Sequence, residues 1–202
     1  MKIFLFSFSL LLIGYTCYSQ VGFGVKSGIN IGTTKDINSD PKNRLGWYAG
    51  GLANIPMYKK IFLQPEFLFS VKGYRYIGNL NETAKTALRL NYLTTPILLG
   101  YKIDTKTSLF FGPEIGYLLS AYSVWPNKER FNVSDRFPVK LDFGLDIGLN
   151  YKVLNKVGLE IRYNYGFKNM YRTDAVGVRF GERLAGNRVF QIGGFYYFPS
   201  SE

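Results

Sequence analysis

The chain has 202 residues, 47% of them hydrophobic and 17% aromatic, with 22 glycines and a formal net charge of +11. That length allows one domain of ordinary size and leaves no room for a second substantial one. Histidine is absent and cysteine occurs once, which excludes Ser-His and Cys-His nucleophile pairs, imidazole general bases and histidine-ligated zinc together.

The N-terminus reads as an export signal. Lys2 supplies the positive start, Ile3 to Gly14 is an apolar run, and Cys17-Tyr18-Ser19 places small residues where a signal peptidase reads. Cleavage after Ser19 makes residues 1–19 the signal peptide and 20–202 the mature domain. The apolar run of roughly twelve residues is too short to span a bilayer, which takes about twenty. Cys17 raises a lipoprotein reading, but Tyr15-Thr16 fits a lipidation site poorly. If Cys17 leaves with the signal, thiol catalysis, disulfides and cysteine metal sites leave with it.

Beyond residue 20 no segment carries helical periodicity. Alternation with period two recurs instead, in runs of about ten to fourteen residues bounded by turn signals. The first run sets Val21, Phe23, Val25, Ile29 and Ile31 against Gly22, Gly24, Lys26, Gly28 and Asn30. Four strands follow over 45–56, 61–74, 90–103 and 108–122. The clearest run, 139–152, alternates seven apolar residues from Val139 to Tyr151 with Lys140, Asp142, Gly144, Asp146, Gly148, Asn150 and Lys152. The next sets Val157, Leu159, Ile161, Tyr163, Tyr165 and Phe167 against Gly158, Glu160, Arg162, Asn164, Gly166 and Lys168. A last strand over 188–198 brings the total to eight.

The connections alternate too. Residues 57–60, 104–107 and 153–156 are tight turns, whereas 33–44, 75–89, 123–136 and 169–187 are longer, polar and charged. Short turns at one end, long loops at the other and an even strand number form the outer-membrane pattern. The sequence therefore predicts an all-β fold: an eight-stranded antiparallel up-and-down transmembrane β-barrel preceded by a cleaved signal peptide. The 16 tyrosines and 17 phenylalanines suit aromatic girdles at two membrane interfaces.

Alternation alone does not say which face looks out. A soluble periplasmic lipocalin-like ligand carrier would put the apolar face inside. Volume argues otherwise, because an eight-stranded barrel has an interior only just wide enough for side chains to fill. The apolar face supplies roughly five to seven large residues per strand, which would overfill it. Length agrees: about twelve residues at 3.4 Å, tilted by roughly 40°, rise close to 30 Å.

The inward face then carries Lys26, Glu66, Lys72, Lys102, Glu114, Lys140, Asp142, Asp146, Glu160, Arg162 and Lys168. Buried charges must be paired or hydrated, so a crosslinked polar lumen is expected around Lys26, Glu66, Lys72, Glu114, Asp142, Asp146, Glu160 and Arg162. Glu66 and Glu114 are expected to accept from Lys26 and Lys72. Asp142 and Asp146 lie about 13–14 Å apart along a strand, beyond the separation of a catalytic carboxylate pair. Each reads instead as a partner for Lys140, Arg162 or Lys26. Pro65, Pro96 and Pro113 fall inside strands, where each removes a ladder donor and marks a bulge or weak pairing.

The last strand reads polar-x-Gly-x-x-aromatic-x-aromatic, with Gln191, Gly193, Tyr196 and Phe198 at its four positions. This resembles the terminal signal by which the outer-membrane assembly machinery recognises its clients, although Pro199 to Glu202 follow the usual terminal aromatic. The segments Gly24-Val25-Lys26-Ser27-Gly28-Ile29-Asn30, Phe62-Leu63-Gln64-Pro65-Glu66-Phe67-Leu68-Phe69-Ser70-Val71-Lys72-Gly73, Leu90-Asn91-Tyr92-Leu93-Thr94-Thr95-Pro96-Ile97-Leu98-Leu99, Gly112-Pro113-Glu114-Ile115-Gly116-Tyr117-Leu118-Leu119-Ser120 and Asn187-Arg188-Val189-Phe190-Gln191 extend the comparison across the chain. In this order they resemble the PorT-like outer-membrane barrel family of Bacteroidetes over nearly all of 21–198. The resemblance implies a fold and a place, integral in the outer membrane of a Gram-negative bacterium. Its named member belongs to a protein secretion and gliding apparatus.

The function expected is non-enzymatic: a structural or interaction role through long charged extracellular loops. Arg75, Lys85, Arg89, Arg172, Arg179, Arg183 and Arg188 make those loops basic and suited to anions. The expected partners are outer-membrane lipid and lipopolysaccharide, the assembly machinery and an unidentified envelope protein. No cofactor, metal or nucleic acid is expected. A narrow pore is disfavoured, because well-conducting porins have many more strands. Asn81-Glu82-Thr83 and Asn132-Val133-Ser134 match a glycosylation pattern and read as chance loop sequences.

Overall fold

The computed structural model describes residues 21–34, 42–77, 85–125, 127, 129–137, 140–167 and 186–199. The signal-peptide reading over 1–19 and the positions Lys168, Arg172, Arg179 and Arg183 lie outside the described residues. The strands are β1 (Gly22–Thr34), β2 (Lys42–Tyr58), β3 (Ile61–Ile77), β4 (Lys85–Lys102), β5 (Thr107–Val124), β6 (Arg130–Asn132), β7 (Leu141–Lys152), β8 (Val157–Gly166) and β9 (Asn187–Tyr197). A 3-10 turn, Ser134–Arg136, lies between β6 and β7.

Neighbouring strands pair antiparallel around a ring in which β4 meets β5, β5 meets β7, and β1 meets β9 from Gly24↔Tyr197 to Thr34↔Asn187. The closed wall thus has the eight strands that the alternation predicted. The short β6 is an addition, hydrogen-bonded to the end of β5 through Tyr122↔Asn132 and Val124↔Arg130. Asn132, part of the apparent glycosylation pattern, instead accepts from the Ser134 backbone N–H at 2.9 Å to shape the turn.

The strand ends correct the sequence reading. β3 and β4 continue pairing from Gly73↔Arg89 to Ile77↔Lys85, so Arg75, Lys85 and Arg89 sit in a hairpin ladder and not in a loop. Polar residues hide such an extension, because ladder hydrogen bonds form in water without an apolar face. At 18 residues, β4 and β5 rise about 45–50 Å when tilted by roughly 40°. They outreach an apolar band of about 25 Å by some 20 Å. β8, with 10 residues, barely spans that band.

Burial alternates along most of the wall and breaks at residues 70–74 and 90–92, with Lys26, Asn30, Glu66, Glu114, Asp142, Asp146, Glu160 and Arg162 inside. Phe23, Ile29, Phe67, Phe111, Ile147 and Leu159 stand outside, several of them more than half exposed. Such a continuous apolar exterior has no place in water, and matches a lipid-facing surface. Pro65, Pro96 and Pro113 interrupt pairing without shifting its register. The β3–β4 ladder skips from Pro65↔Ile97 to Leu68↔Thr94, opposite Pro96, and β4–β5 skips from Pro96↔Glu114 to Leu99↔Phe111, opposite Pro113. Register shifts lie elsewhere, between Asn43 and Tyr48, between Pro56 and Tyr58, and at Asn91–Tyr92.

Glycines let the wall close tightly. A Cβ on inward-facing Gly112 would run into the carbonyl oxygen of Ile97 on β4, whereas one on Gly51 would meet nothing closer than the Gly24 carbonyl oxygen at 3.8 Å. Gly112→Ala is therefore expected to destabilise the barrel by about 1–3 kcal/mol, as overpacking does. Gly51→Ala should stay within about 0.5 kcal/mol of the parent. Urea unfolding midpoints in lipid vesicles check the pair, and equal midpoints would contradict the close approach.

Candidate functional site

The lumen is built in layers. At its centre Arg162 on β8 places its guanidinium among three carboxylates: Glu66 Oε1 at 2.8 Å, Asp146 Oδ2 at 3.1 Å and Glu160 Oε1 at 3.2 Å. Lys26 Nζ bridges Glu66 at 3.1 Å and Glu160 at 2.6 Å. Lys72 Nζ meets Glu114 Oε1 at 2.5 Å. Asn164 links the two groups, donating to Asp146 Oδ1 at 2.6 Å and Glu114 Oε1 at 3.1 Å. Gln64 donates to Glu66 at 2.7 Å, and Gln191 to Asn30 Oδ1 at 2.9 Å.

Strand geometry explains why these residues meet. Each lies on the inward phase of its strand, and the register sets Glu66 beside Leu52, Asp146 beside Asn164 and Glu160 beside Gly193. Long side chains from opposite walls then cross a lumen one side chain wide. Lys26 touches Glu66, Lys72 touches Glu114, and Asp146 touches Arg162. Asp142 accepts from Asn187 Nδ2 at 2.9 Å and makes no ion pair among the described residues. Lys140 precedes β7 and is exposed, outside the inward face to which the alternation assigns it. Lys102 is half-buried at the short-turn end.

The sequence reading missed two apolar layers. On the long-loop side, Tyr74, Leu88, Leu90, Tyr92, Leu118, Ala121 and Phe137 form a buried cluster, with Val133 packed against it. Its trace in the sequence is apolar residues in consecutive pairs, Tyr92-Leu93 and Leu118-Leu119, which put bulk on both faces of a strand. On the short-turn side, Phe62, Leu98, Phe110 and Phe195 are buried. There Phe62 pairs with Gly100, Phe110 with Gly148 and Phe195 with Gly158, and each ring occupies the space a Cβ on that glycine would need. Arg162 lies 5.0 Å from the Phe110 ring centroid, so the charge layer rests on this aromatic floor.

The C-terminal motif has local work in the folded barrel. The Tyr48 ring lies across Gly28 and Gly193, and a Cβ on Gly193 would meet the Tyr48 hydroxyl. Gln191 reaches Asn30, while Tyr196 and Phe198 face out with ring centroids 5.9 Å apart. At the opposite end, Arg188 is a strand residue and not a loop residue. Its guanidinium stacks 3.5 Å from the Tyr165 centroid and donates to the Gly166 and Asn187 carbonyls at 2.7 and 2.9 Å.

The short turns are tied by backbone. Asp104 Oδ1 accepts from the N–H groups of Lys106 and Thr107 at 2.7 and 2.8 Å. Those bonds, Lys106 first, hold its carboxyl below the usual range. Towards the strands' far ends, Arg44 Nη1 approaches the Lys72 carbonyl at 3.4 Å and Arg89 Nε donates to Asn91 Oδ1 at 3.0 Å.

Five buried carboxylates share three buried cations in the described lumen, so no cation is spare. Arg162→Met should cost about 3–5 kcal/mol, because it strands Glu66, Asp146 and Glu160 in a closed interior. Arg162→Lys, which keeps the charge but not the fork, should cost less. Unfolding midpoints of both variants at neutral pH check the order.

Comparison with known proteins agrees with this geometry. The family model described as outer membrane protein beta-barrel domain matches residues 15–172. No curated protein matches the chain in sequence. Neisserial surface protein A is similar in structure over 87% of this chain and 97% of that one, at 12% identity and a TM-score of 0.57. The attachment invasion locus protein Ail of Yersinia pestis, crystallised with the heparin analogue sucrose octasulfate, is similar over 88% and 99%, at 13% identity and a TM-score of 0.51. At such identities the likeness is one of fold. With the family model covering most of its length and a closed barrel clad in apolar side chains, the chain belongs to the family of outer-membrane β-barrel domain proteins.

Proposed function

We propose that this integral outer-membrane barrel is a sealed, non-enzymatic scaffold whose role is structural or interactive and is exercised at its extracellular end. The observation that carries the reading is the lumen. A salt-bridged layer around Arg162 lies between an aromatic floor and an apolar roof, leaving solutes no polar path through. The chain also lacks the histidine on which much acid–base and nucleophilic catalysis relies. A soluble carrier would need its apolar faces turned inward, opposite to their orientation here.

Reconstituted in planar bilayers, the barrel should show no stable conductance steps. Reproducible steps abolished by blocking the lumen would overturn the sealed reading. Export is part of the proposal: N-terminal sequencing of the outer-membrane form should begin at Gln20, and retention of residues 1–19 would contradict cleavage.

A finer reading places the protein in a PorT-type secretion and gliding apparatus of a Bacteroidetes cell. It rests on the motif series from Gly24-Val25-Lys26 to Gly112-Pro113-Glu114. Loss of secreted-protein export on deletion of the chain would support it, and unchanged export would remove it while leaving the sealed scaffold intact.

A further inference from the structure

The tall wall ends in arginines that pair with no carboxylate among the described residues. Lys42 pairs with Arg75, Arg75 with Ala87, Ala87 with Val124, and Val124 with Arg130, so one transverse row runs across β2, β3, β4, β5 and β6. Arg89 lies on the same side, two residues along β4 from Ala87 and opposite Gly73. Arg75 and Arg130 are three strand spacings apart, about 14 Å between Cα atoms, a gap that two long side chains can narrow onto one group. Arg44 is half-buried, and the positive fields of Arg89, Arg75 and Arg130 all act on it, in that order. Among the described residues none of the four arginines makes an ion pair. A half-buried guanidinium ringed by like charges is costly unless an anion joins it.

Height and direction narrow the choice of anion. Residues 74, 88 and 90 are buried in the interior cluster, so the alternate residues Arg75 and Arg89 belong to the outer side of the wall. Below them Trp47 and Phe69 form an aromatic pair at 5.3 Å, and Trp47 is half exposed on the outer surface. Arg89 sits opposite Gly73, four residues beyond Phe69, which is a rise of about 10 Å. That is headgroup height above an interfacial aromatic pair. Guanidinium forks match tetrahedral phosphate oxygens in a way that single ammonium points do not.

Resting on the outer-membrane reading above, we propose that Arg75, Arg89 and Arg130 form a binding site for the phosphate groups of the outer-leaflet lipid, the phosphorylated glucosamine headgroup of lipopolysaccharide; Arg44, opposite Gly32 on the inward phase of β2, stands behind it. Arg75 and Arg130 are exposed and clear of the lumen network, so Arg75→Gln with Arg130→Gln tests the site without disturbing the barrel. The full chain in neutral detergent is titrated with bis-phosphorylated lipid A, its dephosphorylated form and inorganic phosphate. The parent should prefer the bis-phosphorylated lipid by at least tenfold. The double variant should lose about tenfold in that affinity and nothing towards the dephosphorylated lipid. Equal binding of both lipids, or an unchanged variant, would overturn the site. Inorganic phosphate binding without lipid A binding would make it a soluble-anion site and overturn the lipid assignment. A heat-dependent mobility shift on the same samples reports barrel integrity separately, so a failed site is distinguishable from a failed barrel.

Discussion

A bilayer core offers no water to a backbone, so every N–H and C=O of a spanning sheet must find its partner within the sheet. The antiparallel seam between β1 and β9 meets that demand here, and the rest of the molecule follows from it. Closing eight strands fixes the radius, the radius makes the interior one side chain wide, and the wall must then be lined inside by whatever that width admits. Where a phenylalanine enters, the facing position is glycine, as with Phe62 and Gly100 or Phe110 and Gly148. Where Pro65, Pro96 and Pro113 remove donors, the ladder gaps fall beside them but register is kept, since a slip would turn a whole strand inside out.

The same narrowness makes the charges interdependent. Ionised groups in a dry interior are tolerable only in contact with opposite charge, and Arg162 satisfies three carboxylates through one planar fork. Lys26 on β1, two strands from each, joins Glu66 and Glu160. The pairs tie β1, β3, β7 and β8 across the lumen, adding links that the neighbour-to-neighbour ladder lacks. Specificity of closure is the natural use of such links, because a misregistered strand would leave charges unmatched.

The two ends of the barrel differ in kind. The short-turn end is compact, with Phe62, Phe110 and Phe195 below the charge layer and turns such as that capped by Asp104. At the other end the wall from β2 to β5 climbs well past the apolar band and carries arginines without an ion pair among the described residues, with Phe137 and the apolar cluster beneath. A side-chain-filled interior and a tall charged rim are what the proposal of an outer working surface rests on.

The sequence by itself determined the strand number, the closed topology and the orientation of each face, because period-two alternation is a local property and the volume of an eight-stranded barrel is fixed by geometry. It also determined the members of the charge layer, since Lys26, Glu66, Asp146 and Arg162 each sit on an inward phase. Only the tertiary structure decided which of them touch, because partners such as Glu66 and Arg162 lie on strands remote in sequence and meet across the lumen. It alone revealed the apolar roof and floor, which depend on bulges and facing glycines that displace the simple alternation. Arg75 and Arg89 read as loop residues because their surroundings are polar, yet the hairpin ladder carries them upward as strand. Bringing them towards Arg44 and Arg130 took the register of five strands, which no local pattern encodes.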